Sequence, residues 1–204
     1  MNELFEVIYQ HQLSSLVNRQ LVSDKKILVL LSGVPGSGKS SLARRLEESM
    51  GYVRIVNDDI RNIIASHAEQ DQLDQRYPDR MRRDQLRLLQ NEFIVYLLHK
   101  LKVQPNGRIV LDRDMDAELL PLIQAWAKKY KYKIQLIALE ISRNELINRI
   151  QSRQSSQMEQ SLASLDFYID RQSRFLGSDR PTVLYKTDQL DIKEAAAAID
   201  AMDS

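Results

Sequence analysis

The 204-residue sequence predicts a three-layer α/β fold, in which helices cover both faces of a parallel sheet of about five strands. Short apolar runs of strand length alternate along the chain with segments whose apolar residues recur every three or four positions. The expected strand at residues 26–32 contains a continuous apolar run at 27–31, as is typical of a parallel strand that is buried on both faces. A glycine-rich segment follows this run and leads into a helical pattern. We therefore expect one domain over residues 1–204.

The first half of the chain begins with an amphipathic helix at residues 3–22. This extension is expected to pack on the core, and a partner-binding arm is the alternative. The elements that follow are a strand at 26–32, a helix at 40–49, a strand at 52–56, and helices at 59–67 and 84–101. The turn sequence QPNG ends the last of these helices.

The second half of the chain continues the alternation of strands and helices. Ser142 and Glu145 form a capping box, S-x-x-E, in which each side chain can bind a backbone N–H group of the other residue. The expected elements are a strand at 108–112, a helix at 117–130, a strand at 132–142, the helix opened by the capping box, a helix at 160–175, a strand at 182–187 and a helix at 192–202.

Composition and charge exclude several classes of protein. With 43% apolar and 28% charged residues, the chain has the composition of a globular protein. A net charge of +1 argues against a large cationic surface that wraps duplex nucleic acid. The sequence has no cysteine, so disulfides and thiolate zinc sites are excluded. We expect a cytoplasmic protein without a membrane partner, because the sequence has no cysteine, shows no basic-then-apolar signal segment and has no apolar run long enough to cross a bilayer.

The glycine-rich segment GVPGSGKS matches the phosphate-binding pattern GxxxxGK[ST]. Its glycines let backbone N–H groups turn toward an anion, and the start of the helix adds partial positive charge. Lys39 is expected to reach the β- and γ-phosphates of a nucleotide, and Ser40 to bind magnesium. A purely structural turn would need neither side chain. The expected nucleotide-binding residues are Gly33, Pro35, Gly36, Ser37, Gly38, Lys39, Ser40 and Ser41.

A second polar segment, VNDDIRN, follows the second expected strand. Strand ends on this side of an open α/β sheet line the ligand crevice. Asp58 could accept the proton of an attacking hydroxyl, and Arg61 could hold an acceptor or a transferring phosphate. The alternative is that Asp58 or Asp59 caps a helix and that Arg61 is solvated.

Two further signals are weaker when taken alone. Asp112 follows the third expected strand, where a carboxylate could hold magnesium through water or orient an arginine. Arg149 and Arg153 lie four residues apart on one helix face, as in a lid that closes over phosphates. Taken alone, such an arginine pair is more often explained by a solvated helix face.

Four segments, in this order and at these separations, resemble the 5′-kinase domain of phage polynucleotide kinase and related small P-loop kinases. They are GVPGSGKSSLARRL, VNDDIRNIIASH, IVLDRD and ELINRIQSR, and the resemblance covers residues 25–188. It implies a P-loop kinase core with strand order 2-3-1-4-5, ATP and Mg²⁺ as cofactors, and a helical lid at about residues 149–160. Residues 1–22 have no counterpart in that domain.

The resemblance also implies roles for individual residues. Asp58 falls on the family's general base for the acceptor hydroxyl, and Arg61 on the arginine that holds the acceptor. Asp112 falls on the aspartate that orients this arginine, while Arg149 and Arg153 fall on the lid arginines that contact the donor phosphates. The implied function is transfer of the γ-phosphate of ATP to a hydroxyl, foremost the 5′-OH of an RNA or DNA end.

Two alternatives to a polynucleotide kinase stay open. Where the family shows Asp-Thr-Asn after the third strand, this chain has Asp112, Arg113 and Asp114, so its acceptor can differ. Zeta toxins and small-molecule kinases share the loop, the strand-two aspartate and the lid, which makes a sugar nucleotide, an antibiotic or another small alcohol a candidate acceptor. The third possibility is a nucleotide-dependent switch without transferase activity.

Overall fold

The structure of the chain is a computed structural model. The structure describes residues 5–6, 9–10, 23–58, 60, 79–101, 106–113, 118–152, 166, 170, 183–186 and 191–202. Within these residues, five parallel strands form one sheet in the order β2-β3-β1-β4-β5. The strands are β1 (Ser23–Gly33), β2 (Val53–Val56), β3 (Asn106–Asp112), β4 (Lys133–Glu140) and β5 (Val183–Lys186). The helices are α1 (Lys39–Met50), α2 (Asp79–Leu101), α3 (Leu119–Tyr130), α4 (Arg143–Ser152) and α5 (Ile192–Ala201).

The predicted fold class is confirmed, including the strand order that the resemblance implied. Every expected strand is present, and most bounds differ by one to three residues. The largest difference is in α2, which begins at Asp79 rather than at residue 84. The helices expected at 59–67 and 160–175 lie for the most part outside the described residues.

The central strand β1 contributes side chains to the cores on both faces of the sheet. It pairs with β3 on one side and with β4 on the other. Successive side chains of a strand point to opposite faces. Leu28 and Leu30 accordingly join the core that contains α2 and α3, whereas Val29 and Leu31 join the core that contains α1 and α5. All five strands are parallel, so their carboxyl ends meet at one edge of the sheet.

The described part of the N-terminal segment docks on α2. Phe5 is 6% exposed, and its ring centroid lies 5.1 Å from that of Phe93 and 5.5 Å from that of Tyr96. Glu6 accepts hydrogen bonds from the Tyr96 hydroxyl and the Lys100 ammonium group. These hydrogen bonds, that of Tyr96 first, lower the pKa of Glu6 to about 2. Packing on the core is therefore confirmed for these residues, and the rest of the helix expected at 3–22, apart from residues 9 and 10, lies outside the described part of the chain.

No described helix combines the length and the apolar character needed to cross a lipid bilayer.

Candidate active site at the carboxyl edge of the sheet

The glycine-rich segment forms the turn between β1 and α1. Its backbone closes with a hydrogen bond from the N–H group of Ser37 to the carbonyl oxygen of Val34, at 3.0 Å. Gly38 is the N-cap residue of α1, with φ 101°, and no side chain caps the helix there. A left-handed conformation of this kind favours glycine. The uncapped start of α1 presents backbone N–H groups that suit an anion such as a phosphate.

Gly33 lies where the loop touches the neighbouring strand. A Cβ atom at this position would lie 2.5 Å from Ser37 Oγ and 2.8 Å from the carbonyl oxygen of Leu139 in β4. Ser37 is itself fully buried. Close approach of two backbone segments, rather than flexibility, therefore requires glycine at position 33.

Lys39 extends over the loop that precedes it. Its Nζ donates hydrogen bonds to the carbonyl oxygens of Gly33 and Val34, the second at 3.1 Å. These contacts hold the ammonium group against the first residues of the loop. That location is the one expected for a cation that binds nucleotide phosphates.

Ser40 and Asp112 meet across the edge of the sheet. The Ser40 hydroxyl donates a hydrogen bond to Asp112 Oδ1 at 3.1 Å. Asp112 is 7% exposed and also binds Arg54, whose Nε lies 3.1 Å from Oδ2. Hydroxyl and carboxylate oxygens are ligands that Mg²⁺ prefers. Ser40 and Asp112 therefore fit a magnesium site, and no cluster of three or more His, Asp or Glu side chains offers another one within the described ranges.

Asp58 lies two residues beyond the end of β2, and β2 is the neighbour of β3, which ends at Asp112. Val56, the last residue of β2, pairs with Asp112 in the parallel register. The side chain of Asp58 is exposed, whereas Oδ1 of the preceding Asn57 is buried and has no hydrogen-bond partner among the described residues. The exposed carboxylate thus stands at the same edge as the loop. Asp59 and Arg61, the other residues expected here, lie outside the described part of the chain.

Arg149 connects α4 to the loop. Its Nε donates to Glu145 Oε1 at 2.7 Å, and its guanidinium group also reaches the carbonyl oxygen of Gly36 at 3.5 Å. The backbone N–H of Glu145 donates to Ser142 Oγ at 3.3 Å, as the capping box predicts. The carboxylate of Glu145 accepts the hydrogen bond from Arg149. Arg153, the second expected lid arginine, lies outside the described residues.

The structure adds three residues to those that the sequence patterns indicated as site residues. Arg54 binds Asp112, Asn57 lies beside Asp58, and Glu145 was noticed for its capping position but not as the partner of Arg149. A signal existed for two of them: Arg54 is a charged residue within a short apolar strand, and Glu145 and Arg149 have the i, i+4 spacing of a helical ion pair. Asn57 carries no such signal.

The sheet, its strand order and the loop define the class of protein: a P-loop α/β domain with a kinase-like fold. More specifically, the chain belongs to a family of AAA domains, whose model matches residues 28–174. A search of the curated proteins gave no match.

Several solved structures share this fold at low sequence identity. A candidate kinase from Chloroflexus aurantiacus is 14% identical, with a TM-score of 0.63, and the match covers 87% of this chain and 98% of that one. A sugar kinase from Janibacter is 15% identical, with a TM-score of 0.59 over 85% and 93% of the two chains. A gluconokinase from Sinorhizobium meliloti is 17% identical, with a TM-score of 0.51 over 86% and 92%. At these identities the likeness establishes the fold.

Proposed function

We propose that this chain is an ATP-dependent phosphotransferase that moves the γ-phosphate of ATP to a hydroxyl group. The observation that carries the proposal is the hydrogen bond between Ser40 and Asp112, which joins the start of α1 to the end of β3. It brings the phosphate-binding loop next to the end of β3. Val56 at the end of the neighbouring strand β2 pairs with Asp112, so Asp58, two residues further on, belongs to the same edge of the sheet. Donor and acceptor groups would then meet at one edge of the sheet, as ligands do in open α/β folds.

The proposed reaction is an in-line displacement at the γ-phosphorus. The acceptor oxygen forms a bond to this phosphorus while the bond to the β–γ bridging oxygen breaks, and ADP leaves with the electron pair. Asp58 takes the proton of the acceptor hydroxyl. The charge on the moving phosphoryl group is stabilised by three cations, Lys39, Arg149 and Arg153.

The remaining site residues orient the reactants. The loop from Gly33 to Ser41 binds the phosphates through backbone N–H groups, and Arg61 holds the acceptor. Ser40 and Asp112 are the residues fit to hold Mg²⁺, which supplies charge neutralisation at the β- and γ-oxygens when it is bound. Asp112 is already engaged by Ser40 and Arg54, so we assign it to the metal side of the site rather than to Arg61.

The nucleotide base has a candidate place beside the loop. A surface recess of about 240 Å³ opens at the carboxyl ends of β4 and β5, lined by Glu140, Ile141, Ser142 and Lys186. Gly33 pairs with Leu139 in the sheet, so this recess adjoins the phosphate-binding loop. We propose that the adenine base binds there, near the segment that follows β5.

Two classes of acceptor follow from different observations. The resemblance of four sequence segments to polynucleotide kinase favours the 5′-OH of an RNA or DNA end. The names of two similar structures, a gluconokinase and a sugar kinase, favour a small alcohol. The net charge of +1 is compatible with a small alcohol as acceptor.

A panel of acceptors tests the proposal in one experiment. ATP labelled at the γ-phosphate is incubated with Mg²⁺ and one candidate acceptor at a time: 5′-hydroxyl oligonucleotides of RNA and DNA, gluconate, a hexose, a sugar nucleotide and an aminoglycoside. We expect label in one class of acceptor, with matching release of ADP, and none with Lys39→Ala. If no acceptor raises ADP release above the level of the same reaction without an acceptor, phosphoryl transfer is contradicted and a nucleotide-dependent switch is favoured.

A further inference from the structure

Arg54 is the one charged residue within the strand β2, whose sequence is VRIV. It pairs with Val110 in the register, and Val56 pairs with Asp112. Alternate residues of a strand share a face, so Arg54 and Asp112 lie on the same face of the sheet. Both side chains are largely buried, at 13% and 4% exposure. A guanidinium group in such a place is usually held by a carboxylate.

The contacts of Arg54 divide the two oxygens of the Asp112 carboxylate between two partners. Nε and Nη2 of Arg54 both donate to Oδ2, with Nε at 3.1 Å. Oδ1 accepts the hydrogen bond from Ser40 instead. On the other side of the guanidinium group, Nη1 lies 3.8 Å from Glu47 Oε2 of α1. Arg54 is therefore clamped between α1 and the end of β3.

This arrangement fixes the direction of the Asp112 carboxylate. Arg54 binds Oδ2 and Ser40 binds Oδ1, so a rotation of the carboxylate about its Cβ–Cγ bond would break contacts at both oxygens. We propose that Arg54 is a positioning residue for the metal-binding pair: by taking Oδ2, it keeps Oδ1 directed at Ser40 and at the Mg²⁺ that accompanies the nucleotide. This inference rests on the proposed function, since it assigns Ser40 and Asp112 to the metal.

Two other roles of Arg54 make different predictions. A purely structural ion pair would contribute to stability without changing the response to Mg²⁺. A cation that competes with the metal for the Asp112 carboxylate would weaken Mg²⁺ binding, so its removal would strengthen it. Only a positioning residue makes Mg²⁺ binding weaker when it is removed.

The test compares Arg54→Met with the matched control Glu47→Gln. Methionine replaces the apolar stem of arginine but has no charge and no donors. The control removes the other carboxylate beside Arg54 but leaves both of its bonds to Asp112. ATP binding is measured by calorimetry in EDTA and over a series of Mg²⁺ concentrations, and no acceptor or turnover is needed. Thermal unfolding without nucleotide is recorded for each variant.

The Mg²⁺ midpoint is the Mg²⁺ concentration that gives half of the maximal change in ATP affinity. We expect Arg54→Met to raise this midpoint by about 10- to 100-fold, the usual range when the partner of a metal ligand is lost. ATP affinity in EDTA should stay within about twofold. Glu47→Gln should match the wild type in both measurements. A lower melting temperature of Arg54→Met is expected in any case, because Asp112 stays buried without its cation. The Mg²⁺ midpoint is therefore the diagnostic quantity.

Arg54→Lys covers the case in which the methionine variant does not fold, because it keeps the charge but lacks the planar pair of donors. We expect its Mg²⁺ midpoint to rise as well, by less than that of the methionine variant. An unchanged or a lower midpoint in the folded variants would overturn the positioning role. A wild-type protein that binds Mg·ATP but phosphorylates no acceptor would refute the proposed transferase and leave this test decisive, whereas a wild type that binds no ATP would overturn both.

Discussion

The replacement Gly33→Ala tests the phosphate-binding loop by steric means alone, since it removes no charge and no hydrogen-bond donor. The added Cβ would fall short of the ordinary 3.4 Å contact by about 0.6 Å at the carbonyl oxygen of Leu139 and by about 0.9 Å at Ser37 Oγ. Leu139 is paired with Gly33 in the sheet, so its backbone cannot yield without disturbing β4. We expect the loop itself to be displaced.

The size of the effect follows from the cost of overpacking. A forced insertion of one methyl group into a close-packed site costs about 1–3 kcal/mol. For a domain of this size, 1 kcal/mol lowers the melting temperature by about 2–4 °C, so a decrease of about 2–12 °C is expected. If ATP requires the original loop position, its affinity should fall by a similar free energy, or about 5- to 150-fold.

Thermal unfolding and calorimetric titration of ATP measure the two effects, with Gly51→Ala as the matched control. Gly51 caps the other end of α1 with φ 72°, so alanine there introduces left-handed strain of about 1–2 kcal/mol far from the loop. The control should lose stability and keep its affinity for ATP. Wild-type affinity in Gly33→Ala, despite lost stability, would show that this loop does not bind the phosphates.

Three further predictions concern catalysis and the docked N-terminal segment. Asp58→Asn should lose about 10²- to 10⁴-fold in single-turnover rate and keep its ATP affinity, and an unchanged rate would remove Asp58 from the mechanism. In denaturant unfolding, Phe5→Ala should lose about 3 kcal/mol, whereas the half-exposed Leu88→Ala should change by less than about 0.5 kcal/mol; equal small losses would indicate that the segment does not dock. The pKa of Glu6 lies below its ordinary value of 4.5, at about 2, so its contribution is present above pH 4.5 and is lost as the pH falls toward 2. Glu6→Gln should lack this loss in pH-dependent melting curves, and parallel curves for the two proteins would contradict it.

Much of the fold could be predicted because its signals are local. The continuous apolar run of β1 indicates burial on both faces, and the structure divides its side chains between two cores as expected. The glycine pattern is local in part, since Gly38 has a left-handed backbone at the start of α1. Gly33 is required by a close approach to Leu139 of β4, which lies far along the chain. The helix start and the position of Asp112 after an apolar strand follow from the same kind of pattern.

The partners of the site residues could not be predicted in this way. Residue types and spacing allowed Asp112 to serve either a metal, together with Ser40, or an arginine, and they gave no reason to join it to Arg54. Contacts between residues far apart in the chain depend on strand order and register, which are set by packing of the whole core. The chain by itself determined the sheet and the phosphate-binding loop through local periodicity and turn chemistry. The tertiary structure decided which side chains meet at the edge of that sheet, because only the assembled register brings Arg54, Ser40 and Asp112 within hydrogen-bond distance.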